Sequence, residues 1–242
     1  MMKGVALLAI AAGAALPALA HDPIKAAPSA KVAPAFDLVR TEVGVDGDAL
    51  VFAHATSGMP GALVPDRNGR LAGAPVYSYV WSTSLDSAAV GFEPAQGILA
   101  LAAAIHPDFD DTPLDDENGD GNPKNDGKMW HSHWVVLVKD AACGPAGLKV
   151  KDIPKGATPK LPRTWPGLPL LIDSPGYRPG FGTSTVEIRV PLRDIGAPKD
   201  FKYDGVTAGL RVNANVHDPL LCVENVFKVA SGDLSLPGQV KR

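Results

Sequence analysis

The chain has 242 residues, 23 basic against 26 acidic, and a net charge of −3. That balance leaves no electrostatic footprint for nucleic acid, and 45% apolar residues with 20% charged ones exclude a disordered chain. Its 25 glycines and 23 prolines, well above the usual combined share of about 12%, exclude a helical bundle and favour short strands joined by many turns.

Residues 1–20 read as an export signal. Lys3 is the positive start, Val5 to Leu16 the apolar core, and Ala18-Leu19-Ala20 the small-residue cleavage motif. The apolar run is short for a membrane span, and no later stretch approaches the roughly 20 apolar residues a span requires, so membrane insertion is not expected. The expected location is periplasmic or secreted. Cleavage would leave His21 at the N-terminus, where its amine and imidazole resemble half of the histidine brace of copper proteins. Two cysteines, Cys143 and Cys222, follow the signal, and in an oxidising compartment they are expected to pair.

Residues 21–34 are rich in Pro and Ala and read as a tether. The rest, 35–242, reads as one domain. Strand candidates follow at 35–43, 49–55, 75–83, 88–93, 97–105, 128–140, 166–173, 185–192, 205–216 and 220–230. PVYSYVWST at 75–83 is rich in aromatic and β-branched residues. GILALAAAI at 97–105 has helix-forming content, but Gly97 and His106-Pro107 confine it to strand length. TVEIRVPL at 185–192 alternates apolar and charged residues, the pattern of a half-buried strand. With no long helix in view, the expected fold is all-β: a single antiparallel β-sandwich of immunoglobulin-like or jelly-roll type, with a long acidic loop insertion.

VEIRVPLRDIG at 186–196 followed by GVTAGLRVNANVHD at 205–218 resembles the closing strands of DOMON and family 9 carbohydrate-binding-module β-sandwiches. Those domains often end with E-x-x-I/V-P-L and G-x-x-x-G-L-x-V-x-x-N strands. The resemblance covers these strands alone and implies a sandwich. The family includes sugar binders and haem-binding electron-transfer domains. The HPDFDD segment and the WHSHW strand fall outside its pattern.

The chemistry concentrates in Ile105 to Lys139. His131 and His133 stand two apart on a strand, so their imidazoles share a face with Val135 and Leu137. Trp130, Ser132 and Trp134 take the other face. His106 ends the preceding strand. If the two strands form a hairpin with 107–128 as its loop, His106 comes beside the pair. Three histidines would then suit Zn²⁺ or Cu²⁺, with a fourth position left for water. His217, at a strand end, offers a fourth ligand, and His54 in VFAHA is a further candidate. The site is expected at a strand end rather than mid-core, so that replacing His133 abolishes tight metal binding yet leaves the fold intact, whereas replacing His54, on a separate strand, does not abolish it.

Within the loop, Asp116-Glu117-Asn118-Gly119-Asp120-Gly121 matches the opening of a calcium loop, D-x-N-x-D-G. Gly127 stands where the closing glutamate belongs. Asp126, or Asp110, Asp111 or Asp115, would have to replace it, and Asp108 adds to the same acidic set. Tyr77, Tyr79, Trp81, Trp130 and Trp134 form either a core or a sugar-stacking platform. No GxSxG, P-loop or dinucleotide-binding glycine motif is present. Three functional readings follow. The first is an exported metal-binding protein with Zn or Cu at the histidines and Ca in the acidic loop. The second is a metal-dependent periplasmic enzyme using the same histidines. The third is a carbohydrate-binding module with structural calcium. The partners are metal ions, with polysaccharide or another periplasmic protein as further candidates, and no nucleic acid.

Overall fold

A computed structural model describes residues 23–66, 71–107, 112–122, 125, 129–213 and 219–242. The strands in chain order are β1 (Ile24–Lys25), β2 (Leu38–Asp46), β3 (Ala49–Thr56), β4 (Pro75–Thr83), β5 (Ile98–Ile105), β6 (His131–Lys139), β7 (Leu148–Val150), β8 (Ile172–Asp173), β9 (Gly180–Phe181), β10 (Thr185–Pro191), β11 (Asp200–Val212), β12 (Leu221–Val229) and β13 (Gly238–Lys241). They form two antiparallel sheets packed face to face, the all-β sandwich expected from the sequence. The first sheet has the order β1-β2-β3-β10-β9. The second runs β12-β7-β6-β5-β4-β11-β13.

The second sheet curls onto itself. β12 pairs with β7 on one side and with β11 on the other, so β4, β5, β6, β7, β12 and β11 close a ring of hydrogen-bonded strands. Two cores follow from this closure. One lies between the sheets and holds Phe52, Tyr79, Trp81, Leu99, Leu101, Trp134, Val186, Ile188 and Val190. The other lies inside the ring and is built from smaller residues, among them Val76, Val80, Ala100, Ala102, Ala104, Val135, Ala208 and Val223. β4 and β5 serve both by simple alternation, large side chains toward the first sheet and small ones into the ring.

This explains why GILALAAAI is a strand. Leu99, Leu101 and Ala103 pack between the sheets while Ala100, Ala102 and Ala104 face the ring interior. Both faces are buried, so the run shows no polar alternation and reads as helix-like in composition. By contrast, β10 has one wet face, and its Val186, Ile188 and Val190 are buried between exposed Glu187 and Arg189. Of the segments 186–196 and 205–218, residues 186–195 fall on β10 and its following turn and residues 205–212 on β11, in different sheets.

Some expectations change. Residues 88–93 are not a strand. Ser87–Val90 form a 3₁₀ turn, because Asp86 caps it by accepting from the Ala88 amide and Gly91 ends it at a φ of 104°. Residues 23–34 are no free tether. Ile24 and Lys25 pair with Thr41 and Arg40, Ser29 donates its amide to Asp37, and Lys228 Nζ reaches Ala27 O at 2.7 Å and Asp37 at 3.0 Å. Of 166–173, only Ile172–Asp173 is a strand. The short strands β7, β9 and β13 carry too few residues to show a period.

The expected Cys143–Cys222 disulfide is present. Cys222 lies on β12 opposite Lys149 of β7, so the bond sits where the ring closes. Lys149 reinforces the seam with ion pairs to Asp140 and Asp152, both at 2.8 Å. A loop of 79 residues makes the crosslink worth about 4 kcal/mol in the chain-entropy model. Replacing both cysteines with serine should lower unfolding free energy by up to that amount in urea titrations. Thiol counting on unfolded, unreduced wild type should find no free thiol.

Candidate metal centre

β5 and β6 form the expected hairpin, with Ala104 opposite His131 and Ala102 opposite His133. His106 follows β5 directly, on the face that Ala102 and Ala104 share. The three imidazoles therefore meet at one end of the ring interior. His131 Nε2 and His106 Nε2 are 3.0 Å apart, and His106 Nε2 and His133 Nε2 are 3.4 Å apart. Among the described residues, this is the group of three or more His, Cys, Asp or Glu side chains whose ligand atoms converge, all within 4.8 Å of one another. The triad could hold a metal ion.

The other ring nitrogens are fixed from behind. His106 Nδ1 lies 2.9 Å from Pro107 O, His131 Nδ1 3.1 Å from Met129 O, and His133 Nδ1 3.1 Å from Ser174 Oγ. Carbonyl oxygens only accept, so His106 and His131 carry their protons on Nδ1. Their Nε2 atoms then face each other at hydrogen-bond distance, an arrangement satisfied by a shared proton or by a metal cation between them. Backing a ligating imidazole with an acceptor on its second nitrogen is the usual arrangement in metal sites.

Ser174 is a residue that sequence reasoning missed. β8 pairs with β6, Asp173 opposite Trp134, and this carries Ser174 to the back of His133. The neighbouring Asp173 is buried, which pushes its carboxyl up to about 6 even though Thr164 Oγ1 and the Ser174 amide donate to it. The only sequence signal was the apolar stretch ending at Asp173.

The site's setting also differs from expectation. His106, His131 and His133 are 4%, 7% and 2% exposed, so they are interior residues, not a polar mouth at a strand end. His133 pairs well inside the β5–β6 ladder, and its replacement will touch packing as well as ligation. His54 is not a ligand. It is wholly buried and stacks on Trp81 at 3.9 Å, with Nε2 toward Val80 O and Nδ1 toward Thr41 Oγ1. The β11 backbone passes so close that a Cβ on Gly205 would collide with the Thr41 hydroxyl and come within 2.8 Å of His54 Cε1. His54 is thus a core residue whose loss will weaken the fold.

The described part of the acidic loop, residues 112–122 and 125, is a network of turns. Asp116 accepts from the Gly119 and Gly121 amides, Asn118 from the Asp120 amide, and Asp120 from the Asn122 amide and Asn125 Nδ2. Arg178 clamps Asp115 and the Asp116 carbonyl. These bonds are what an Asn/Asp/Gly-rich turn makes by itself, and the described residues add no support for calcium. Asp108, Asp110, Asp111, Asp126, His217 and His21 lie outside the described residues. Tyr79, Trp81 and Trp134 are completely buried between the sheets and offer no stacking platform.

No family model, curated protein or solved structure matches this chain. Among the described residues, no helix is long and apolar enough to cross a membrane.

Burial holds the His54 pKa down to about 3, against its bonds to backbone carbonyls, which favour the charged form. The unfolded chain's histidine protonates near 6.5, so the unfolded state gains a proton first as pH falls. His54 therefore stabilises the fold above pH 6.5, and that contribution is lost progressively down to about pH 3, a change of about 5 kcal/mol. Urea titrations across this range should show the decline, and the His54 ring proton resonances should not titrate in folded protein above about pH 4. His54→Ala should cost about 3 kcal/mol at neutral pH.

Proposed function

We propose that this is an exported metal-binding β-sandwich protein that takes Zn²⁺ or Cu²⁺ through His106, His131 and His133. The observation that carries the proposal is the inward convergence of three Nε2 atoms whose partner nitrogens are anchored on Pro107 O, Met129 O and Ser174 Oγ. Two nitrogens each about 2.05 Å from one tetrahedral ion stand about 3.3 Å apart. The separations of 3.0 and 3.4 Å bracket that value. Imidazole nitrogen suits zinc and copper and is a poor match for calcium or magnesium, which prefer oxygen. Three protein ligands leave a position open for water or another small ligand. Export rests on the signal-like residues 1–20 and agrees with the disulfide, since such bonds persist in oxidising compartments.

The test is metal content by mass spectrometry on protein purified without a histidine tag and loaded with Zn²⁺ or Cu²⁺. Wild type should retain one ion per chain. His106→Gln and His131→Gln should each lower the affinity at least about tenfold, with unfolding curves recorded alongside to separate ligation from stability. Equal retention in wild type and both folded variants, or none in wild type, would overturn the reading.

A further inference from the structure

The ring interior is not completely filled. A cavity of about 160 Å³ runs through it, lined by Val76, Val80, Ala102, Ala208 and Val223, with His106 and His133 in its wall. Its lining extends along β5 from Ile98 to His106, a strand distance of about 26 Å. One end is the histidine cluster. At the other, Ile98, Val226 and Leu234 are apolar yet 44%, 41% and 39% exposed, which marks an open, greasy mouth. Leu234 and Leu236 both line the cavity and both hold left-handed backbone, at φ of 59° and 54°. Side chains other than glycine rarely adopt that conformation, and here it aims two leucines at the opening. Small residues on β5 and β11 keep the lumen clear, whereas a core built only for packing would fill it.

We propose that the ring interior is a binding site for a slender apolar molecule of about six to eight carbons, whose single polar end reaches the His106–His131–His133 cluster. The size follows from the volume, since a cavity of about 150 Å³ accepts one benzene. The slender shape follows from the length. An apolar lumen takes a chain or ring in preference to a sugar or an ion, because it offers little to replace their lost hydration. The histidine end is where a donor oxygen would be met, by a metal with an open position. The proposal rests on the metal reading for that polar end only. The apolar lumen stands without it.

The experiment is isothermal titration with two probes, n-octanol and octanoate, on metal-free and zinc-loaded protein. Octanol should bind metal-free wild type with a negative heat-capacity change, the mark of apolar burial. Ala208→Phe fills the lumen and should weaken octanol at least about tenfold while zinc content stays at the wild-type level. Should that variant fail to fold, Val226→Trp narrows the mouth from an exposed position and should weaken or slow octanol binding. Octanoate should gain affinity on zinc loading. No octanol binding to folded, metal-free wild type, or unchanged binding in both variants, would overturn the lumen as a site. Octanoate binding of equal strength with and without bound zinc would overturn the placement of the polar end. Zinc content, measured separately, decides the metal reading whatever the octanol result.

Discussion

The structure depends on one seam. β7 contributes three residues, yet it joins β6 to β12 and so turns an open sheet into a closed ring. An open sheet of this size would pack one face on its partner and leave the other to water or to a covering layer. Closure instead buries both faces of β4, β5 and β6. The disulfide and the Lys149 ion pairs stand at this seam because so short a strand contributes few ladder bonds. Without the seam the ring-facing alanines and valines would have no interior to line, and the histidines would stand on an open surface.

Buried on both faces, the central strands divide their labour. Large rings and leucines fill the space between the sheets, where Phe52, Trp81 and Trp134 interlock. Small side chains face the ring and leave it loosely filled. The same division separates the histidines. His54, on the first sheet, stacks flat on Trp81 and is held neutral by burial. His106, His131 and His133, on the ring side, turn their Nε2 atoms toward a common point. One residue type thus serves packing in one layer and forms a convergent cluster in the other, and the difference is set by what each Nδ1 and Nε2 meets.

Much of this was legible in the sequence. The strand pattern of 75–83 and 185–192, the pairing of the two cysteines and the meeting of His106 with His131 and His133 follow from alternation, from cysteine count and from hairpin geometry. Depth was not legible, because the closure that buries the triad depends on β7, whose three residues carry no period. The role of His54 was also hidden. Nothing in VFAHA shows that Gly205 lets another strand press against it. Ser174 emerges only when β8 is laid beside β6. The turn at Ser87–Val90 had its signals, Asp86 and Gly91, but its apolar run suggested a strand.

The β5–β6 register has one more consequence. Side chains alternate across a strand, so slipping this hairpin by a single residue would send His131 and His133 to the sandwich side and bring Ser132 and Trp134 into the ring. His106 would then face the lumen alone. A chain misfolded in this way could be compact and rich in β-structure, yet it would have no convergent imidazoles. An ion held by the triad would therefore act as a proofreader of strand pairing. It would reward only chains whose hairpin has closed in the right register, and the fraction of protein carrying metal would count correctly folded molecules.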